Sequence, residues 1–503
     1  MSASPRPPTP WLDRLARVGD RLPDPVVLFL GACLVLIVLS LLGEAGGWSV
    51  PHPGTGEPSP VTGLLHPAGI RRMLTDAVKN FVAFPPLGTV LVMMVGVGVA
   101  ERSGLIGASL QLRLVRLPPR ALTPSLMLVS ILASAAADAG FVVLIPLGAA
   151  LYASLGRHPL LGVAVVYAGV GGGYSANLLL TALDPLLAGL TTSAARLLVP
   201  DCEVPATANW WFMAVSVPML TAIGTLVAER WVAPRLASIP WERSKEEEDV
   251  AAPVPASRGL AAAGLAALVV PSVTVLLVAS GVLYDSVDGT GYRPLFDSVV
   301  TLIALGFFLP GVAYAVVGGR ARSSGALVQL AAASLGGLGS YIVLIVVASQ
   351  FVAWFSWSNL GIWVAVHGAA TLRDLGLGPL ALLVGLAALT AVSDLLVPSA
   401  SAKWALFAPV FVPMLMLLGV EPAWTQAAYR VGDSVSNVVS PLLPYLPIVL
   451  LTARRYVPAA GLGTVFVSQL PFAAAFFGAW MLLLALWFEL GLPLGPGTAA
   501  CAL

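Results

Sequence analysis

The chain has 503 residues, of which 58% are hydrophobic and only 10% are charged. Soluble domains carry about 25% charged residues, so this composition excludes a soluble globular protein and indicates a polytopic membrane protein. The formal net charge is +1, and the basic residues are scattered, which excludes a nucleic-acid-binding patch. The three cysteines and four histidines have no metal-site spacing, so neither a metal nor another cofactor is expected.

Apolar segments and the loops between them predict nine membrane spans and two re-entrant hairpins. Arginines in residues 1–24 place this leader in the cytoplasm by the positive-inside rule. In the first half, spans 1 and 2 lie in residues 25–120, and span 4 with a charged cytoplasmic linker lies in 191–258. In the second half, spans 5 to 7 lie in 259–350, a Trp-rich interfacial helix in 351–376, and the last span in 452–503. This arrangement puts all four main Arg-bearing loops inside.

The remaining segments, residues 121–190 and 377–451, each combine a hairpin with a broken span. The apolar stretch 121–155 is too long for one ordinary span and too short for two spans of about 20 residues. In the stretch 377–420, the two arms are too short and too broken by prolines for two spans. Polar tips interrupt them, with the sequences SAAADAG at 134–140 and SDLLVPSASAKW at 393–404. The first hairpin would enter from the cytoplasm and the second from outside, although two full spans in place of a hairpin would preserve the same loop orientation. Asp138 is either a tip ligand or a helix cap.

The second broken span, residues 421–451, has the sequence EPAWTQAAYRVGDSVSNVVSPLLPYLPIVLL. A charge near the bilayer centre costs about 2.5 kcal/mol or more, so Arg430 and Asp433 form either a structural ion pair or part of a functional site. The first broken span, residues 159–190, contains Ser175, Asn177 and Asp184 after a glycine run. Asp184 is either a functional group or a cap at the extracellular end of a helix.

The order of hairpin, short loop and broken span therefore occurs twice, with the hairpins entering from opposite sides. An inverted repeat of this kind is typical of secondary transporters, whose site lies near the bilayer midplane. Helix N-termini at the breaks can bind a carboxylate. Side-chain oxygens there can bind Na⁺ or pass protons, and the neutral candidates are Ser175, Asn177, Ser436 and Asn437.

Several motifs resemble the p-aminobenzoyl-glutamate transporter (AbgT) family. They are PPLGTVLVMMVGVGVAERSGL from Pro85, YSANLLLTALDPLLAG from Tyr174, FSWSNLG from Phe355, PSASAKWALFAPVFVPMLMLLG from Pro398 and AAYRVGDSVSNVVSPLLPYLP from Ala427. The resemblance implies an all-α, elevator-type inner-membrane homodimer with nine spans and two opposed hairpins per protomer. It also implies transport of p-aminobenzoyl-glutamate or related folate catabolites, and in some members efflux of sulfonamides.

The resemblance assigns function to Asp184, Trp404, Arg430 and Asp433, and secondarily to Ser399, Ser401 and Lys403. We expect Arg430 to bind the acid group of the substrate bidentately. Trp404 would stack on the aromatic ring, unless it only packs. Asp184 and Asp433 would carry protons or bind the coupling cation, which is H⁺ or Na⁺. Lys403 would bind an anion or cap the hairpin.

One position departs from the pattern that the resemblance implies. An asparagine is expected in the second polar tip, where this chain has Asp394. An added carboxylate could change ion coupling or substrate preference, so Asp394 joins the candidate ion-coupling residues.

Two other classes of protein compete with a transporter. An intramembrane aspartyl protease would use Asp184 and Asp433 as a proton-sharing pair. However, the sequence from Arg430 to Asp433 lacks the extra glycine of the usual motif, and a protease leaves the paired hairpins unexplained, so no enzyme is predicted. A channel with the same polar lining would conduct without coupling to a gradient.

Overall fold

The computed structural model describes residues 25–501 except positions 54, 107, 110–118, 135–136, 243–256, 285–291, 395–396, 398, 442, 444 and 497–500. The predicted cytoplasmic leader and residues 243–256 of the charged linker lie outside the described residues, and so does the side chain of Asp138.

The described residues form mainly α-helices joined by short loops. The first half contains α1 (Pro25–Ala45), α2 (Pro67–Val82), α3 (Pro85–Arg102), α4 (Pro119–Ala133), α5 (Ala137–Ser154), α6 (Pro159–Tyr167), α7 (Leu183–Ala195), α8 (Trp210–Val227) and α9 (Ala233–Leu236). The second half contains α10 (Ser257–Ala267), α11 (Val269–Ala279), α12 (Arg293–Asp297), α13 (Val299–Val317), α14 (Ser324–Leu335), α15 (Gly339–Trp357), α16 (Leu360–Asp374), α17 (Pro379–Ser393), α18 (Ala400–Met416), α19 (Pro422–Ser436), α20 (Leu446–Tyr456) and α21 (Leu462–Glu489).

A small antiparallel ribbon, which the sequence did not predict, lies in one loop of the otherwise helical fold. Strand β1 (Ser49–Pro51) pairs with β2 (Pro58–Pro60) in the loop after α1, with Val50 opposite Ser59. Prolines cannot continue a helix because they lack the amide donor, so this Pro-rich loop forms a short ribbon instead. Trp48, just before β1, stacks on Trp363 of α16 with ring centroids 4.5 Å apart, which fastens the loop to the helices.

Within the described residues, five helices are long and apolar enough to cross a membrane. A sixth span results if the bent pair formed by α15 and α16 is counted as one. Several other apolar helices are shorter, with 10–17 residues each, and they include the two arms of each predicted hairpin. The architecture is thus that of a polytopic helical membrane protein, and the number of nine spans stays a prediction.

The helix boundary near residue 351 differs from the expected one. Helix α15 continues through this position to Trp357, and the axis then bends by 73°. The bend occurs at Asn359, which has a left-handed φ of 57°, a conformation that asparagine tolerates better than most residues. The predicted interfacial helix therefore begins at Leu360. Predicted span 7 is itself divided by a 3₁₀ turn over Gly336–Leu338.

Both predicted repeats contain a helix pair followed by a broken helix. In the first, α4 and α5 meet at the predicted tip. Helix α6 then ends in a π-helical turn (Ala168–Gly172), and irregular chain leads to α7. In the second, α17 and α18 meet at the polar tip, and α19 ends in a 3₁₀ turn (Asn437–Val439) before α20. The breaks thus occur where the polar residues interrupt the apolar sequence.

The two repeats pack directly against each other, with α7 contacting α18 and α19. Helix α19 also packs closely on α17, because Gly432 lies against the backbone of Ala387 and a Cβ there would collide with its carbonyl oxygen. Every residue from Ala427 to Ser436 is buried. Helix α19 is therefore the central element around which the polar side chains of both repeats gather.

Candidate functional site

Asp184 and Arg430 form a buried ion pair between the two repeats. Asp184 lies in the first turn of α7, and Arg430 lies in the middle of α19. Nη1 of Arg430 donates to Oδ1 of Asp184 at 2.6 Å, and Nη2 donates to the carbonyl oxygen of Ser175 at 3.3 Å. The other oxygen of Asp184 accepts from the backbone N–H (2.6 Å) and the hydroxyl (2.9 Å) of Thr181. Asp184 therefore both holds the start of α7 and neutralises Arg430.

The structural ion pair between Arg430 and Asp433, one of the two interpretations of their spacing, is wrong. Although the two residues are one turn apart on α19, Arg430 bonds toward α7, and Asp433 bonds to Lys403 of α18 at 2.9 Å. Asp184 and Asp433 thus pair with different cations. A protease would need Asp184 and Asp433 to share one proton, and their separate ion pairs do not provide that arrangement.

A second charged cluster lies at the polar tip between α17 and α18. Nζ of Lys403 is 2.5 Å from Oδ1 of Asp394 and 2.9 Å from Oδ1 of Asp433. The hydroxyl of Tyr429 donates to the carbonyl oxygen of Ala400 at 2.5 Å and lies 3.3 Å from Oδ1 of Asp433. The ammonium group of Lys403 thus binds two carboxylates of the protein itself. A role of Lys403 in binding a substrate anion or capping the hairpin stays a prediction.

Trp404 is completely buried beside this cluster. Its ring packs on Tyr429 with centroids 4.4 Å apart, and its Nε1 donates to Thr191 at 3.0 Å. Thr191 donates in turn to Gln426 at 2.6 Å, and Gln426 donates to Asn209 at 2.7 Å. This chain of hydrogen bonds fixes the plane of the indole between α7, α18 and α19.

The predicted neutral oxygens lie at the two helix breaks. Ser134 donates to Oδ1 of Asn177 at 3.4 Å, which joins the first polar tip to the first break. The backbone N–H of Ser175 donates to Ser434 at 3.1 Å, and Nδ2 of Asn437 donates to a carbonyl of the π-helical turn at 3.4 Å. Ser436 is also buried here. The structure thus brings the two breaks together, and contacts across them join the repeats.

Ser399 and Ser401 have local roles in the structure. Ser399 is the N-cap of α18, and its hydroxyl accepts from the backbone N–H of Ala402 at 3.4 Å. The hydroxyl of Ser401 lies 3.3 Å from that of Ser399. Both side chains are partly buried, so they offer polar oxygen atoms at the start of α18 without joining the charged clusters.

The arrangement can bind an anion at one position and a cation at another. Nε of Arg430 is buried and has no hydrogen-bond partner within the described residues, so the guanidinium has donor capacity beyond Asp184. At the second position, the carboxylates of Asp394 and Asp433 face the single ammonium of Lys403. Because Arg430 and Asp433 are one turn apart on α19, both positions are attached to the same helix.

Sequence reasoning missed four buried polar residues of the site, namely Thr181, Thr191, Gln426 and Tyr429. A periodicity signal was available for Gln426, because Gln426, Arg430, Asp433 and Asn437 recur at intervals of four, three and four and so share one helix face. Tyr429 likewise precedes Asp433 by one turn. Thr191 lies in an apolar helix, and only its contact with Trp404 reveals a role.

Comparison with known proteins identifies the family. The model of the family described as "AbgT putative transporter family" matches residues 10–501. The chain belongs to the AbgT family. This confirms the resemblance found in the sequence motifs.

Three AbgT relatives illustrate the similarity. The p-aminobenzoyl-glutamate transport protein of Escherichia coli (strain K12) is 35% identical over 490 residues, which is 97% of this chain and 96% of that protein. The crystal structure of the Alcanivorax borkumensis YdaH transporter has a TM-score of 0.91 and 40% identity, and the match covers 94% of this chain and all of YdaH. Neisseria gonorrhoeae MtrF, described with a class of antimetabolite efflux pumps, has a TM-score of 0.91 and 41% identity over 97% of this chain and all of MtrF.

Together, the AbgT membership and the apolar helices identify a multi-pass inner-membrane transport protein. The AbgT relatives are transporters and not enzymes, so the protease interpretation is wrong.

Proposed function

We propose that this chain is an ion-gradient-coupled secondary transporter of p-aminobenzoyl-glutamate, a related folate catabolite or a sulfonamide antimetabolite. The ion pair between Arg430 and Asp184 carries this proposal, because it joins the breaks of both repeats and leaves Nε of Arg430 without a partner in the part of the chain that the structure describes. A substrate carboxylate or sulfonyl group would replace Asp184 and bind the guanidinium through two N–H groups. Asp184 would return to Arg430 after release.

Trp404 would recognise the aromatic ring of the substrate. Its indole is buried and hydrogen-bonded to Thr191, so a substrate ring can reach it only in a conformation in which α18 separates from α7. Such a separation would be part of alternating access, in which the repeats move against a dimer scaffold. Ser399 and Ser401, at the start of α18, would line the opening.

The finer topology is also part of the proposal. The sequence repeat and the short paired helices at both tips support nine spans and two opposed hairpins. The elevator-type motion and the homodimer are what membership of the AbgT family implies. The cytoplasmic N-terminus requires residues 191–209 and the C-terminal segment to lie outside. The disulfide between Cys202 and Cys501 supports this orientation, because disulfides persist in the oxidising periplasm.

Proteoliposomes containing the purified protein test the function. Radiolabelled p-aminobenzoyl-glutamate and sulfamethazine would be followed under imposed pH or Na⁺ gradients. We expect wild type to accumulate at least one compound, and Asp184→Ala and Asp433→Ala to abolish this accumulation. The control is Asp76→Asn, at an exposed pair with Arg72.

Two results would contradict the proposal. Accumulation that survives both alanine substitutions would make the aspartates structural and overturn the site. Flux that equilibrates the compounds but never follows an imposed gradient would identify a channel.

A further inference from the structure

The cluster of Asp394, Lys403 and Asp433 has an unbalanced charge. Asp184 and Arg430 neutralise each other through their 2.6 Å contact. Lys403, by contrast, faces two carboxylates, so one negative charge remains when all three groups are ionised. The three residues are 0–1% exposed. A net charge at such a depth is unfavourable unless a cation neutralises it.

One carboxylate oxygen is available for that cation. Oδ2 of Asp394 is buried and accepts no hydrogen bond from the described residues. The hydroxyl of Ser436 lies within hydrogen-bonding reach of Asp394, but its single proton is directed to the carbonyl oxygen of Gly432 at 2.8 Å. A buried carboxylate oxygen without a hydrogen-bond partner destabilises the folded protein, because its charge is neither solvated nor compensated. Protonation of the carboxylate removes this charge.

The groups facing Asp394 come from several elements. Lys403 approaches from α18, and Asp433 and Tyr429 approach from α19. Tyr167, at the end of α6, interacts electrostatically with Asp394, and its hydroxyl also has no hydrogen-bond partner among the described residues. Tyr174 interacts with Tyr429 from the first break. Lys403 is therefore the only cationic side chain among these neighbours.

The position between the two carboxylates is already occupied. The ammonium of Lys403 lies within 2.9 Å of both Asp394 and Asp433. A metal cation bound to the same oxygens would be close to this positive charge, and like charges at such distances repel strongly in a buried site. A proton needs no such space, because it bonds directly to the free oxygen of Asp394.

We propose that Asp394 is the proton-exchange site of this transporter and that Lys403 is a resident cation which takes the place of Na⁺. One proton adds to Oδ2 of Asp394 from the proton-rich side and converts the carboxylate to a neutral acid, while Lys403 and Asp433 stay paired. The acid releases the same proton on the other side, so one proton crosses per cycle. Asp433 and Arg430 share α19, which connects proton exchange to anion binding.

The transport part of the test rests on the proposed function. In Na⁺-free proteoliposomes, we expect an imposed pH gradient to drive accumulation by wild type, with no further gain from a Na⁺ gradient. Asp394→Asn makes the cluster neutral and introduces the residue that the AbgT pattern implies. For each variant, substrate accumulation under a pH gradient is divided by the rate of substrate exchange without a gradient. In Asp394→Asn this ratio should fall to the value for simple equilibration, whereas Asp76→Asn should keep the wild-type ratio. Accumulation that requires Na⁺, or an unchanged ratio in Asp394→Asn, would overturn the proposal.

A substrate-independent measurement keeps the proton site testable even if neither compound is transported. Infrared difference spectra between acidic and alkaline buffers detect the C=O band of a buried carboxylic acid. We expect this band in wild type and in Asp76→Asn, and its loss in Asp394→Asn. If both compounds fail as substrates while this band behaves as expected, the proposed substrates are wrong and the proton site is supported. A band that Asp394→Asn does not change would overturn the proton site by itself.

Discussion

The sharpest prediction concerns Asp184→Asn, which removes a charge with almost no change in shape. The new amide can still accept from Thr181 through its oxygen, but its NH₂ group would then face Nη1 of Arg430, so donor meets donor. Removing one partner of a buried ion pair costs about 3–5 kcal/mol, because the remaining charge is left uncompensated. Arg430 is 1% exposed, so water cannot replace the lost carboxylate.

A substrate anion can compensate for this loss. We therefore expect Asp184→Asn to melt at a lower temperature than wild type and to gain more stability from the substrate. Since 1.4 kcal/mol corresponds to a tenfold change in Kd, recovery of even that part of the cost would tighten binding about tenfold. Transport should nevertheless be lost, because the anion cannot be displaced by a returning carboxylate.

Thermal-shift and equilibrium-binding measurements on detergent-solubilised protein would check this prediction. The matched control is Asp76→Asn, which makes the same change at an exposed, 3.5 Å pair with Arg72, a pair expected to contribute below about 1 kcal/mol. Arg430→Gln should abolish the substrate-induced shift. The reasoning fails if Asp184→Asn binds substrate more weakly than wild type or if Arg430→Gln still responds to it.

Three further substitutions test individual contacts. Trp404→Phe keeps an aromatic ring but loses the Nε1 hydrogen bond, so the KM for an aromatic substrate should rise while folding persists, and a wild-type KM would contradict a binding role. Gly432→Ala should lower the melting temperature sharply, because the new Cβ would collide with a backbone carbonyl oxygen. Gly385→Ala should not, because no atom of the described residues lies within 4 Å of its Cβ position. Equal melting temperatures of the two variants would refute the close packing of α19. Cys202→Ser should lower thermal stability by removing the link to Cys501, typically worth about 2–4 kcal/mol. Wild type should migrate differently on reducing and non-reducing gels, and Cys202→Ser should not. If Cys202→Ser shows the same difference as wild type, the disulfide is absent.

Local chemistry determined the helical breaks and their composition. Apolar runs of limited length, interrupted by SAAADAG and SDLLVPSASAKW, predicted the break between α4 and α5 and the break between α17 and α18. The physical reason is that polar side chains at membrane depth are costly unless they face protein or a water-filled cavity. The same reasoning marked Arg430 and Asp433 as buried charges, since their positions at membrane depth are costly. The sequence did not predict the structure of the proline-rich loop after α1, where β1 and β2 form a ribbon.

The sequence by itself determined that this protein lies in a membrane, that its helices break twice in a repeated order, and which charged residues stand at the breaks. Only the tertiary structure decided the partners of those charges. Arg430 pairs with Asp184, 246 positions away, and Asp433 pairs with Lys403 of the neighbouring helix. The physical reason is that helical periodicity specifies the face on which a side chain lies, whereas its partner depends on which other helix packs against that face.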